Sequence, residues 1–373
     1  MTIIDLSIIA IYITIIFGVG IYSKSKVENF SSFMIADHKV PLSLGVVSML
    51  GTELGLITLM YNAQTGINNQ FASFHIGVIA FFATLFIGLT GVVVVRLREL
   101  GLKSIPEYYN YRFGKKTRVL GAIMLATGGI LNMGLFLKIG AIFVQGIFGF
   151  DDDAWILPII MIVLLVLVLA YTMLGGMISV IITDYIQFVV LSLGLIIATI
   201  YSIYYLGWST IFTHIELITL KSPIEIYSPF ESRGGLYVSW QLILGFVSAV
   251  IWPTAITRAL AMDSPKSVKK QYQWSSFSFM IRFIVPSFLG ICALVYYNGS
   301  VGNPLMLMPQ YLSEILPIGI LGLVTAAMLS AFMSTHDSYL LCWSTIITND
   351  IIDPLSENKL SSSNKIKISR YII

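Results

Sequence analysis

Apolar runs of about 20 residues, separated by short polar and basic stretches, recur from one end of the chain to the other. Read as helices rising 1.5 Å per residue, runs of that length match the ~30 Å hydrocarbon core of a bilayer. The pattern predicts nine spanning segments, at 3–22, 42–65, 71–95, 119–148, 155–174, 177–206, 236–262, 275–297 and 316–349. The expected fold class is an all-α integral membrane protein. Composition agrees: 57% of the 373 residues are hydrophobic, 11% are charged and the mean hydropathy is +0.86, which excludes a water-soluble domain. Cys292 and Cys342 both fall inside apolar segments and suggest neither a disulfide framework nor a metal site. The first segment lacks a basic leader and an A-x-A cleavage site, so it reads as a retained helix.

The basic residues set the topology. With the N-terminus outside, seventeen of the 22 Lys and Arg fall on inside loops, among them Lys24, Lys26, Lys39, the run Arg96–Arg118 and Lys359–Arg370. The outside loops keep only Lys221 and Arg233, together with the acidic run Asp151, Asp152, Asp153. The positive-inside rule therefore places the N-terminus outside and the C-terminus inside. This distribution also explains the net charge of +3 without a nucleic-acid partner, and none is expected.

Three cations remain at or near membrane depth. Arg258 sits near the inner end of the seventh segment and is expected to snorkel to the interface. Lys138 and Arg282 lie deeper and are expected to face protein or a wet cavity. In the second segment, Gly51 and Gly55 flank Glu53 at mid-membrane, where a carboxylate costs about 2.5–3.5 kcal/mol and calls for a partner. The glycines weaken the helix where a break would free backbone carbonyls. The seventh segment has a matching interruption at Ile251-Trp252-Pro253-Thr254, since Pro253 lacks an amide donor. Two interrupted helices, five segments apart and opposite in direction, point to an inverted repeat with a binding site at the midplane. Between the fifth and sixth segments, Gly175 and Gly176 predict a tight inside turn. Asp184 and Gln187 then share a face of the sixth.

The ninth segment is the most polar of the spans. Ala327, Ala331, Ser334 and Ser338 recur at steps of four, three and four, with Thr335 beside them, which makes one small, oxygen-rich helix face. Such a face suits close helix packing through hydroxyl bonds, and it equally suits a desolvated cation. His336 and Asp337 beside it read as gating or packing residues. An intramembrane acid such as Asp184 reads as functional by default. Glu53 suits a proton or a cationic solute, and Trp252 lies too deep for the interfacial aromatic belt.

Two stretches carry a family resemblance. YTMLGGMISVIITDYIQ (171–187) and AAMLSAFMSTHDSYLL (326–341) resemble the signature and the sodium-site helix of the sodium:solute symporter family. The resemblance runs in order along the whole chain. It implies an extra N-terminal helix (3–22) before a leucine-transporter-type inverted-repeat core, with 42–206 as the first repeat and 236–373 as the start of the second. It further implies a Na⁺ site made by the backbone carbonyls of Gly51, Leu54 and Ala331 and the hydroxyls of Ser334 and Thr335, with Asp184 nearby. Glu53, Trp252 and Thr254 would serve the solute, with Tyr61 and His75 as looser candidates. A full core would need further helices beyond Ile373, so the chain as it stands reads as C-terminally truncated.

The expectation is therefore a plasma-membrane, Na⁺-coupled symporter for a small organic solute, working by alternating access, with Na⁺ as coupling ion and no other cofactor. It is not expected to be an enzyme, since no nucleophile–base pair or phosphate loop is present. The alternatives are a membrane sensor domain of the same family or a non-functional fragment. Glu53 and Trp252 lean towards a zwitterion or an amine, while carboxylates and sugars stay open.

Overall fold

The computed structural model describes residues 1–23, 29–151, 153–357 and 359–373. Lys24, Lys26 and Asp152, used above for topology, lie outside the described residues. Among the described residues the chain is helical, with no strand beyond one isolated bridge. In order, the helices are α1 (Ile3–Ser23), α2 (Phe30–Ile35), α3 (Leu42–Glu53), α4 (Leu56–Asn69), α5 (His75–Thr90), α6 (Val94–Glu99), α7 (Ile105–Phe113), α8 (Lys115–Phe148) and α9 (Ile156–Leu206). They continue as α10 (Trp208–Thr219), α11 (Pro223–Tyr227), α12 (Pro229–Arg233), α13 (Gly235–Ile251), α14 (Pro253–Ala261) and α15 (Pro265–Tyr296). The last are α16 (Pro304–Ile315), α17 (Ile320–Ile346), α18 (Asp353–Leu355) and α19 (Ser362–Ile372).

All nine predicted segments fall on helix. Six helices are each long and apolar enough to cross a bilayer, and the bent pair α13/α14 makes a seventh. Leu42–Glu53 and Ile156–Ala170 are shorter apolar helices. The predicted interruptions are real. The second segment breaks at Leu54 (φ −91°, ψ 53°) and the extended Gly55 (φ −73°, ψ 155°), dividing α3 from α4. The seventh breaks at Trp252, with Pro253 as the first residue of α14 and a bend of 44°. Between the fifth and sixth segments the helix kinks at Gly176 (φ 57°, ψ −157°), where a Cβ would come within 2.5 Å of the Phe33 ring. Helix α16 was not anticipated; α17 runs on into a π-helical turn, Ile347–Ile352.

α17 is the axis of the bundle. Of its apolar window 89% is buried, against 22–56% for the other spans, so α17 is enclosed by protein while they face outward on one side. α9, α1, α8, α3 and α4 all pack on it. Its start is held from the far end of the sequence: Asp5 of α1 accepts from the backbone amides of Gly319 and Gly322 at 2.8 and 2.9 Å. These are amides that the first turn of a helix leaves without an intrahelical partner, and a carboxylate suits the positive end of the helix dipole. Its far end is tied to α8, where Arg118 Nε donates to Asp350 Oδ1 at 2.8 Å.

A buried polar cluster fixes the middle. Arg258 is only 2% exposed, which overturns the expectation that it snorkels: the break at Trp252 turns α14 inward against α3 and α17. Its Nη2 lies 3.4 Å from Asp184 Oδ2, and Asp184 is fully buried on α9. Arg258 Nε donates to Ser48 Oγ at 3.0 Å, and Nη2 donates to Thr52 Oγ1 at 2.9 Å and to Ser338 Oγ. Ser48 in turn donates to Asp184 at 2.5 Å. One ion pair therefore joins α3, α9, α14 and α17. Lys138, expected to face protein or a wet cavity, is exposed on α8 and lines no cavity described below. The packed stripe there is Phe136, Ile139, Gly140 and Phe143, and Lys138 lies off it.

The two halves of the chain also meet at a short clip. Val40, just before α3, accepts from the Asp263 amide at 3.0 Å and donates to the Ala261 carbonyl at 3.1 Å, at the end of α14.

Removing one member of a buried ion pair costs about 3–5 kcal/mol, whereas replacing both by apolar groups is close to neutral. Arg258→Met should therefore lose most of its folded, monodisperse yield, and Arg258→Met with Asp184→Leu should regain a melting temperature above either single variant. Asp5→Ala should cost about 2 kcal/mol, since it strips a charged acceptor from two buried amides. Thermal unfolding of the detergent-purified protein measures it, with Asp5→Asn intermediate.

Candidate ion and solute site

Breaking a helix leaves the last carbonyls of its first half without intrahelical partners. At the end of α3 two of these are claimed by hydroxyls of α17. Ser334 Oγ donates to the Gly51 carbonyl at 2.8 Å and stands 3.4 Å from the Ala331 carbonyl. Thr335 Oγ1 donates to the Thr52 carbonyl at 3.1 Å. Both side chains are buried, and Gly55 permits the approach, since a Cβ there would sit 2.4 Å from Thr335 Oγ1. Gly51, Ala331 and Ser334 thus converge. Leu54 is the residue at the break itself, its amide bonded back to Leu50 at 2.9 Å. Asp184 lies one layer away, its backbone carbonyl 3.3 Å from where a Gly51 Cβ would be, and its carboxylate is turned to Arg258.

Carbonyl and hydroxyl oxygens gathered at an unwound helix form the type of site that hard monovalent cations occupy in transporters, because they supply oxygen ligands without a full negative charge. The hydroxyls that now donate to Gly51 and Thr52 have lone pairs left to offer a cation.

Beside this locus opens a cavity of about 350 Å³, bounded by Glu53, Thr335, Trp252, Tyr339 and Arg282. That is the low end of the ~300–1,000 Å³ range of small-molecule sites. Glu53 Oε2 lies 3.2 Å from Arg282 Nη1, and Glu53 Oε1 accepts from Thr254 Oγ1 at 3.0 Å. Arg282 therefore supplies the partner that a mid-membrane Glu53 called for. Its guanidinium is flanked by the rings of Phe279 and Phe283, 4.5 and 4.8 Å to the centroids. Trp252 Nε1 donates to the Tyr339 hydroxyl at 2.8 Å across the cavity wall. Of the solute candidates, Glu53 and Trp252 line the cavity. Thr254 is fully buried behind Glu53 and orients it.

Tyr61 and His75 do not line it. Tyr61 is exposed on α4, and His75 Nδ1 is 2.6 Å from the Ala72 carbonyl, at the turn into α5. His336 packs between Phe332 and Phe136. Arg258, Arg282, Ser48 and Tyr339 were not singled out as site residues. The signal for both arginines was available in the rule that a buried acid needs a cation, with three cations at depth to choose among.

The profile of the sodium:solute symporter family matches residues 38–373. The sodium/sialic acid symporter SiaT of Proteus mirabilis (strain HI4320) is 25% identical, over 97% of this chain and 74% of its own length. Sodium/glucose cotransporter 1 of Oryctolagus cuniculus is 23% identical, over 93% of this chain and 58% of its own length. Among solved structures, a Na⁺-coupled sialic acid symporter in a substrate-bound outward-open state shares the fold. Its TM-score is 0.85 at 22% identity, covering all of this chain and 79% of that one. A more distant likeness is the nucleobase-cation-symport-1 family transporter MHP1, with a TM-score of 0.59 at 12% identity, covering 91% of this chain and 72% of that one. The chain belongs to the sodium:solute symporter family.

Proposed function

We propose that this protein is a multi-pass transporter of the plasma membrane that couples inward movement of Na⁺ to uptake of a small organic solute by alternating access. The observation that carries this reading is a shared wall. Thr335 binds the carbonyl freed by the α3/α4 break and also lines the cavity closed by Glu53. An ion held there and a solute in the cavity would press on the same broken helix.

In this reading Na⁺ takes the carbonyls of Gly51, Leu54 and Ala331 and the hydroxyl oxygens of Ser334 and Thr335. The two hydroxyl protons turn away from the carbonyls they now serve. Asp184 lies near the ion without ligating it, its carboxylate turned to Arg258. The ion draws the end of α3 against α17 and settles the wall of the cavity, so each ligand strengthens the other by the same factor, as linkage requires. Residues 42–206 and 236–373 act as two repeats whose broken helices, α3/α4 and α13/α14, face the central site. The membrane potential contributes about 2.3 kcal/mol per charge per 100 mV, so neither ATP nor covalent chemistry is required.

In proteoliposomes, uptake of radiolabelled solutes should depend on an inward Na⁺ gradient and vanish when K⁺ replaces Na⁺. Ser334→Ala removes one ion ligand and should raise the Na⁺ concentration for half-maximal effect at least tenfold, or about 1.4 kcal/mol. An unchanged Na⁺ dependence in that variant would sink the site assignment. Gly55→Ala should have a similar effect by a different route, because its Cβ displaces Thr335 from the Thr52 carbonyl. Na⁺ titration of thermal stability reads both variants without a known solute.

A further inference from the structure

We infer that the solute is a zwitterion, carrying a carboxylate and an ammonium group a few bonds apart, which docks by inserting its two charges into the Glu53–Arg282 ion pair. This rests on the transport reading above and specifies its substrate class.

Glu53 and Arg282 are the only charged side chains among the described residues that line the cavity, and they cancel. Most of the remaining wall is apolar, formed by residues such as Ile57, Ile79, Leu244 and Phe283. In such a setting a net charge is costly and an internally paired one is not. A simple anion would gain Arg282 but stand beside the Glu53 carboxylate. A simple cation would gain Glu53 but stand beside the guanidinium. A zwitterion adds no net charge. Its ammonium meets Glu53, which Thr254 holds in place, and its carboxylate meets Arg282.

Arg282 is prepared for that second carboxylate. It spends Nη1 on Glu53, while its Nε is buried with no hydrogen-bond partner among the described residues. An orphaned buried donor is costly, and a carboxylate bound along the Nε edge of the fork would satisfy it. The rings of Phe279 and Phe283 lie 4.5 and 4.8 Å from the guanidinium carbon and pack against it.

A polyol finds less here. Each sugar hydroxyl needs a partner, and the donor hydrogens of much of the polar wall are already engaged. Thr335 is bonded to the Thr52 carbonyl, Trp252 to Tyr339, Tyr272 to the Ala249 carbonyl at 3.2 Å, and Ser248 to the Leu244 carbonyl. The inference thus separates this chain from the sialic acid and glucose transporters it resembles, whose solutes are an anion and a neutral sugar.

The test is a thermal-shift titration of the purified full chain in Na⁺. The probes are the standard amino acids and glycine betaine, set against sialic acid, glucose and myo-inositol. At least one amino acid or betaine should stabilise the protein in Na⁺ and not in K⁺. For a responding amino acid, the methyl ester and the N-acetyl derivative should each bind at least tenfold more weakly. In Glu53→Gln the preference should invert, with the N-acetyl anion binding more tightly than the parent amino acid, a change that mere loss of folding cannot produce. Stabilisation by sialic acid or a sugar alone, by no probe at all, or equally by parent and derivatives would overturn the inference. Because Na⁺ alone should already stabilise the protein through Ser334 and Thr335, that signal reads the transport proposal separately. Its presence without a zwitterion response overturns the solute class only, and its absence overturns both.

Discussion

A guanidinium and a carboxylate enclosed in a membrane protein dictate where everything near them must be. The Arg258–Asp184 pair is isolated from water, so its desolvation has to be offset by hydrogen bonds, and these come from Ser48 and Thr52 on α3 and Ser338 on α17. Because hydrogen bonds tolerate only a few tenths of an ångström, the cluster sets the height of α3 against α17. That height places the Gly51 carbonyl opposite Ser334 and the Thr52 carbonyl opposite Thr335. The meeting of these hydroxyls and carbonyls follows from an electrostatic requirement one helical turn away.

The second ion pair works under different conditions. Glu53 and Arg282 face a cavity, so their partners are exchangeable, whereas those of Asp184 and Arg258 are not. These two arginine–carboxylate pairs share one chemistry and differ in access, one sealed within the packing and one left open. Thr52 and Glu53 are neighbours in sequence, so the sealed pair positions the open one through a single peptide unit.

Much of this could be read before any coordinates. Apolar run lengths located the spans, and the Pro253 interruption read over Ile251–Thr254 contains one break, at Trp252. The break in the second segment was placed between Gly51 and Gly55, but for an incomplete reason. Gly51 stays within α3, and Gly55 is needed chiefly because Thr335 lies against it. Ser334, Thr335 and Asp184 stood out because polar groups in apolar helices are rare. What stayed hidden was pairing across the fold. Arg258 read as a snorkelling residue because its distance along the sequence from the loop is short, while the 44° bend that turns it inward is a tertiary fact. Asp5 could not be matched to Gly319 and Gly322, more than 300 residues away, because backbone amides carry no sequence signal. Tyr61 and His75 were drawn from a family pattern whose side chains here point elsewhere.

The clip at Val40 bears on how such a molecule can move. Two backbone hydrogen bonds fasten the start of α3 to the end of α14, and Arg98 Nε of α6 ties the same end of α14 through the Met262 carbonyl at 2.8 Å. The Arg258 cluster fastens the same two half-helices along their length. Held at two separate heights, α3 and α14 have no independent hinge between them and behave as one lever. The compliance of both interrupted helices is thereby displaced onto α4 and α13, the halves beyond the breaks. Leu54 and Trp252 become the pivots, and each adjoins a residue that meets the solute cavity.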